Sequence, residues 1–190
     1  RNLEFYRQLF PIMEKTGVRV LAENSAHAIM GERFYFYTGA DMREFIEYAG
    51  HPLLGVCWDT GHANMEGNQY KEILSLGDTL KAVHINDNRG KMDEHTIPYF
   101  GTVSMDEVMQ ALLDVRFDGY FTFECDSKLR AAECWIGNRR RMTDARPGEP
   151  QSITPDNRLA EPPLVLAKKS EELLYLCGKY ILDSYHCFEE

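Results

Sequence analysis

The sequence predicts an α/β fold built on parallel strands, and three observations carry that reading. Apolar periodicity alternates between helix-like and strand-like stretches along the chain. The four strand-like stretches stand too far apart for hairpins, so successive strands must be joined by crossovers and run parallel. Each crossover is long enough to hold a helix. A doubly wound open sheet and a (β/α)8 barrel both satisfy this order. No Gly-x-Gly-x-x-Gly follows a strand, which weighs against a dinucleotide-binding sheet.

Taken in order, residues 2–16 place Leu3, Tyr6, Phe10 and Met13 on one helical face, although Pro11 must kink or split that helix. Gly17 breaks it, and residues 18–24 read as a buried strand. Asp41 is expected to cap a helix that runs to Ala49 and ends at Gly50. Residues 53–60 form the second strand, 69–79 a helix interrupted at Gly77, and 80–87 the third strand. Ser104 caps the next helix, with Glu107 at capping-box spacing. Residues 119–125 form the fourth strand and roughly 164–183 a last helix. One stretch breaks the rhythm: 127–163, rich in Pro, Arg and Asp, is expected to be an insertion, either a functional lid or disordered. The chain otherwise reads as a single domain over 1–190.

Composition bounds the function. At 44% hydrophobic and 27% charged residues, the 190-residue chain is that of a soluble globular domain. No apolar run approaches the roughly 18 residues of a membrane span. The net charge of −9 argues against a nucleic-acid partner. The five cysteines are odd in number, widely spread and without a Cys-x-x-Cys pair, so a reducing, cytoplasmic setting is expected rather than a disulfide framework. The chain opens on Arg1 inside an amphipathic stretch, as expected if an N-terminal portion is missing.

The chemistry lies at the strand ends. Glu23, Asp59, His84 and Glu124 stand at or near the ends of the four strands, each about one βα repeat from the next. In a parallel sheet these ends lie side by side, so four residues spread over the sequence converge on one mouth. Alternation agrees: Thr122 and Tyr120 share a face with Glu124, Cys57 and Gly55 with Asp59, and Ala82 with His84. The opposite face takes the larger apolar residues Phe121, Phe123, Trp58, Val56, Val83 and Ile85. Four ionisable groups without an evident basic partner are costly to bury unless a cation offsets them. The competing reading is a structural salt-bridge network. Three carboxylates and one imidazole form a fairly hard donor set that suits one Mn²⁺, Mg²⁺ or Co²⁺ ion and admits Zn²⁺.

The segments LAEN (21–24), DTGHAN (59–64), HIND (84–87), DEHTIPYFG (93–101) followed by SMDEV, and FTFE (121–124) resemble the xylose isomerase-like TIM-barrel superfamily. That superfamily includes sugar isomerases and epimerases and the endonuclease IV group. The resemblance implies the C-terminal half of a (β/α)8 barrel, about strands five to eight with their helices, because a full barrel needs about 250 residues. It implies that Glu23, Asp59, His84 and Glu124 are metal ligands and that Glu23 and Glu124 act as the acid/base pair. The implied activity is a metal-dependent sugar, sugar phosphate or polyol isomerase or epimerase, passing a proton between two glutamates through a metal-stabilised enediolate.

His62 resembles a substrate-contacting histidine. Asp93 and His95 depart from the epimerase pattern, which carries Arg three residues before the proline, and are closer to the Asp-x-His of endonuclease IV. With His62 they would contact substrate hydroxyls, bind a second metal, or form a solvated loop. Asn86 and Asp87 would orient His84 or serve a turn. The Arg run 139–141 would grip a phosphate or lie in a solvated lid, and Trp135 would pack within the insertion or stack on a sugar. The alternatives are an endonuclease IV-like phosphodiesterase acting on abasic DNA and a non-catalytic half-barrel. A half-barrel has open edges, which admit a homo-oligomer.

Overall fold

A computed structural model describes residues 2–31, 34–125 and 164–187. The 127–163 insertion, with Trp135 and Arg139 to Arg141, lies outside the described residues. The chain divides into two compact units, Arg1–Glu124 and Cys125–Glu190. The first unit holds the sheet. In the second, one helix is described, Leu164–Ser184 (α8), within a residue of the expected span.

Pro11 splits the first helix rather than kinking it. Helix α1 spans Asn2–Arg7 and α2 spans Phe10–Thr16, with the proline in the first turn, where its missing N–H breaks no bond. Gly17 takes the left-handed conformation (φ 70°) and returns its N–H to Met13. Strand β1 (Val20–Glu23) follows, then a single turn of helix, α3 (His27–Met30). Helix α4 (Gly39–Ala49) begins earlier than expected. Its cap is Thr38, whose hydroxyl accepts from Asp41 N at 3.1 Å and donates to the Asp41 carboxylate at 2.7 Å. Asp41 is therefore the first-turn acid that answers the cap.

Strand β2 (Leu54–Asp59) runs straight into α5 (Thr60–Glu66), a helix the sequence pattern does not reveal. Helix α6 (Gln69–Leu76) and a 3-10 turn (Gly77–Thr79) lead to β3 (Leu80–Ile85). Helix α7 (Met105–Asp114) is capped by Ser104, whose hydroxyl accepts from Glu107 N. It buries Met105, Val108, Met109 and Leu112 along one stripe. Strand β4 (Tyr120–Phe123) completes the sheet.

The sheet decides between the two architectures. Its order is β1-β2-β3-β4 and every pair is parallel. Sequential order without reversal means that right-handed crossovers place the helices connecting these strands on one face, which is the winding of a barrel and not of a doubly wound sheet. The outward face is the packed one: Val56, Trp58, Val83 and Ile85 are fully buried. Trp58 also donates its ring N–H to Gln69 of α6, whose amide donates in turn to the Thr60 carbonyl. The inward face carries smaller residues, Cys57 and Ala82, up to Tyr120 on the edge strand, which is three-quarters exposed.

Asp87 organises the long connection from β3 to α7. Its main chain pairs with Thr96 in an isolated antiparallel bridge, at 2.9 and 2.8 Å. Its buried carboxylate accepts from the N–H groups of Asn88, Gly101 and Val103, all at 2.8–2.9 Å. Gly101 is required here, because a Cβ would run into the Asn88 carbonyl and the Asp87 carboxylate. Of the two roles expected of Asp87, orienting His84 or serving a turn, the structure shows the second: its side chain faces the loop. Asp87→Ala would strand three N–H groups, at about 1–3 kcal/mol for each that stays buried. The expected outcome is a lower melting temperature and faster amide exchange that is largest across residues 88–103, measured by hydrogen–deuterium exchange.

Candidate metal centre

Glu23, Asp59, His84 and Glu124 each bring one potential ligand atom to the C-terminal end of the sheet, and these atoms lie within 4.8 Å of one another. The register explains how. Asp59 stands opposite His84, while Glu23 stands opposite Cys57, two residues before Asp59. Thr122 stands opposite His84, and Glu124 lies two residues further on. The ligands therefore climb across the sheet in steps of two or none. Even steps keep all four on the same face, and the climb is that of strands tilted within a barrel.

Asp59 is the most constrained of the four. It ends β2 and also caps α5, so its Oδ1 accepts from the His62 N–H at 2.6 Å. Its Oδ2 accepts from the Asn86 amide at 2.6 Å. Its main chain is locked to Asn24, whose side chain accepts from Asp59 N at 2.6 Å and donates to Asp59 O at 3.0 Å. Its side chain is fully buried, and that burial lifts the carboxyl to about 6, against the opposing pull of His62. An acid made costly to ionise is one that a neighbouring cation would relieve.

His84 lies between two carboxylates. Its Nδ1 is 3.0 Å from Glu23 Oε1 and 2.8 Å from Glu124 Oε2. The ring is shifted towards its protonated form by its bonds to Cys57 and Glu23, against burial. One N–H cannot serve two acceptors well, and Glu124 Oε2 is buried without a hydrogen bond. Among the described residues, only histidines pair with Glu23, Asp59 and Glu124; no lysine or arginine does. A carboxylate oxygen with an ion-pair contact but no hydrogen bond, a buried acid and an imidazole nitrogen at one point are what a divalent cation would satisfy together. The residues present fit such an ion.

A second cluster adjoins the first. His62, Asp93 and His95 also bring ligand atoms within 4.8 Å of one another. His62 Nδ1 is 2.9 Å from the Asn24 carbonyl and His95 Nδ1 is 2.8 Å from the Glu124 carbonyl. Carbonyls only accept, so both Nδ1 atoms carry protons and both Nε2 atoms face Asp93, at 3.5 and 3.0 Å. Despite partial burial, the two histidines hold the Asp93 carboxyl well below the usual range. His95 is raised to about 9 chiefly by Asp93; in His62, burial is outweighed by Asp93 and Asp59, and it too rises to about 9. His95 adopts a positive φ of 46°, a conformation that costs a non-glycine residue about 1–3 kcal/mol. The bonds to Glu124 and Asp93 hold it there.

All seven residues singled out in the sequence thus gather at one end of the sheet, in two adjoining groups bridged by His62, which is 3.6 Å from Asp59 and 3.9 Å from Glu23. Asn86, expected to orient His84 or serve a turn, instead gives its side-chain amide to Asp59. Asn24, directly after Glu23, is an anchor that the sequence pattern does not reveal. Cys57 lies on the Asp59 face of β2. Its buried sulfur meets His84, and burial keeps it protonated. His27 pairs with Glu66 at 2.9 Å and stacks on Tyr37, tying α3 to α5.

Residues 1–145 match the family model of the xylose isomerase-like TIM barrel. The chain belongs to this family. Its relatives include an uncharacterized protein of Methanocaldococcus jannaschii, 27% identical over 128 residues that cover 65% of this chain and 42% of that protein. A ketose 3-epimerase of Arthrobacter globiformis is 32% identical over 89 residues, 46% of this chain and 29% of that enzyme. Among solved structures, a D-tagatose 3-epimerase-like protein superposes with a TM-score of 0.60 at 21% identity, covering 97% of this chain and 55% of that one. The chain therefore spans less than half the length of these two relatives and supplies part of a barrel.

If the four-residue cluster takes a cation, Mn²⁺ at about 100 times its dissociation constant should add roughly 2.7 kcal/mol of stability. A thermal melt with and without the ion reads this as a rise in melting temperature. His84→Ala should remove the rise, and a rise that persists would place the ion elsewhere.

Proposed function

We propose that this chain carries the catalytic end of a metal-dependent sugar or polyol isomerase or epimerase. The observation that carries the reading is the convergence of Glu23, Asp59, His84 and Glu124, whose potential ligand atoms lie within 4.8 Å of one another. The similarity to a ketose 3-epimerase supports the same class. Glu23, Asp59, His84 and Glu124 would hold one divalent ion, with Mn²⁺, Mg²⁺ or Co²⁺ favoured by the donor set and Zn²⁺ admitted.

Glu23 and Glu124 have the properties of a proton-exchanging pair. Glu23 ends the first strand of the sheet and Glu124 directly follows the last, so they flank whatever lies over its end. Both side chains are partly exposed, at 38% and 39%, whereas Asp59 is sealed. One glutamate would remove the proton beside a carbonyl while the other returns one on the opposite face or on the next carbon. A bound divalent ion would neutralise the negative charge that develops on the substrate oxygens. Asp59, held at both oxygens, anchors. His62, His95 and Asp93 would bind substrate hydroxyls: the two Nε2 edges and the carboxylate offer donors and acceptors beside the exchanging pair.

One observation favours a second reading. The His62–Asp93–His95 group is itself a ligand set, and a second ion there would suit a phosphodiesterase related to endonuclease IV. Elemental analysis separates the two. One ion per chain fits the isomerase or epimerase, and two or more zinc ions per chain fit the phosphodiesterase.

The direct test is solvent exchange. Metal-loaded protein incubated with free ketoses in D₂O should incorporate deuterium at a carbon next to the carbonyl, read by NMR. Glu124→Gln should slow that exchange by about 10²–10⁴-fold while the circular dichroism spectrum is retained. Undiminished exchange in the variant would remove Glu124 from the pair.

A further inference from the structure

We infer that Asn86 is the positioning residue of this centre: its side-chain amide fixes the Asp59 carboxylate in the orientation in which that carboxylate can take a cation. The inference rests on the metal reading above and concerns which residue makes the site tight.

Asp59 Oδ1 is held by the N–H that starts α5, so it is set by the fold wherever that helix forms. Rotation of the carboxylate about that point remains, and among the described residues the hydrogen bond that opposes it is the one to Oδ2. That bond comes from Asn86 Nδ2 at 2.6 Å. With one donor on each oxygen, the plane of the carboxylate is fixed and the remaining lone pairs are left for an ion.

Asn86 is itself held with unusual care. It is fully buried at the end of β3. The Thr60 hydroxyl donates to its carbonyl at 2.7 Å and accepts from its N–H at 3.1 Å, so its main chain cannot drift. Its side-chain oxygen is buried with no hydrogen-bond partner and is turned towards Gly61, where any Cβ would collide with it. A buried amide that leaves its oxygen unsatisfied is retained at a cost of about 1–3 kcal/mol. A purely structural amide would be expected to use both ends. This one uses only the donor, and gives it to Asp59. Asn88, two residues on, shows the contrast: its amide donates to the Gly61 carbonyl, and its oxygen accepts from Gly90 N and Asn64. It ties the same segments together without touching a ligand.

The test compares Asn86→Leu, Gly61→Ala and Asn88→Leu with the unaltered chain. The measurements are Mn²⁺ affinity by calorimetry, the visible absorption of bound Co²⁺, and the melting temperature without metal. Asn86→Leu removes the donor. Gly61→Ala keeps the donor but forces the amide aside. Both should weaken Mn²⁺ binding by about 10–100-fold and alter the Co²⁺ spectrum. Asn88→Leu should lower the melting temperature and leave affinity and spectrum unchanged. Unchanged affinity in Asn86→Leu overturns the inference, and so does an equal loss in the Asn86 and Asn88 variants, which would make the role structural. If Asn86→Leu does not fold, Gly61→Ala decides by the same criteria. Failure of the unaltered chain to bind Mn²⁺ or Co²⁺ overturns the metal reading itself.

Discussion

A carboxylate sealed at the junction of a strand and a helix sets the terms for everything around it. Asp59 ends β2, caps α5 and lies fully buried. A charge in that position must be met by donors, and the carboxylate finds them at the start of α5 and in Asn86 beyond β3, while the Asn24 amide beyond β1 donates to the Asp59 main-chain carbonyl. Each donor is in turn held. Thr60 fixes Asn86, the Asn24 carbonyl takes His62 Nδ1, and Gln69 draws the Thr60 carbonyl towards the outer helix layer. The polar network is therefore continuous from the sheet's mouth to its outer face, through a region where apolar packing would be the cheaper solution.

The sheet converts sequence spacing into a cluster through register. Parallel pairing in the order β1-β2-β3-β4 puts the strand ends on one side, and even offsets keep the ionisable residues on one face. An offset of one residue on any strand would turn its ligand outward, towards helices packed on Trp58, Val83 and Ile85. Those large buried side chains hold the register. The apolar face thus stabilises the fold and fixes the alignment of the opposite face.

The strands were legible because alternation of large and small residues survives in a short string of letters. Their ends were less so. Residues 18–24 and 80–87 read as strands, but pairing stops at Glu23 and Ile85, because Asn24 and Asn86 turn their side chains to Asp59 and the ladder gives way to side-chain bonds. Helix α5 was hidden for a related reason. Its cap is the same Asp59 that reads as a strand end, and its Thr60-Gly61 start carries no helix propensity. Thr38, not Asp41, caps α4, although the pair are bonded to each other and either identity signals a helix start. The four strand-end residues were legible as a set because each falls at the same point of a repeating unit. The partners of Asp59 were not, since a hydrogen bond between residues 35 or 27 apart leaves no periodic trace.

Along β2, neighbouring residues answer to different demands. Val56 and Trp58 face the helix layer, whereas Cys57 and Asp59 face the mouth. The same division runs along β3, with Val83 and Ile85 on one side and Ala82 and His84 on the other. Adjacent residues therefore meet separate physical constraints, one set from packing and the next from the interior surface. A strand built this way lets the interior be rewritten residue by residue while the scaffold stays assembled, so one sheet can serve as the starting material for more than one interior.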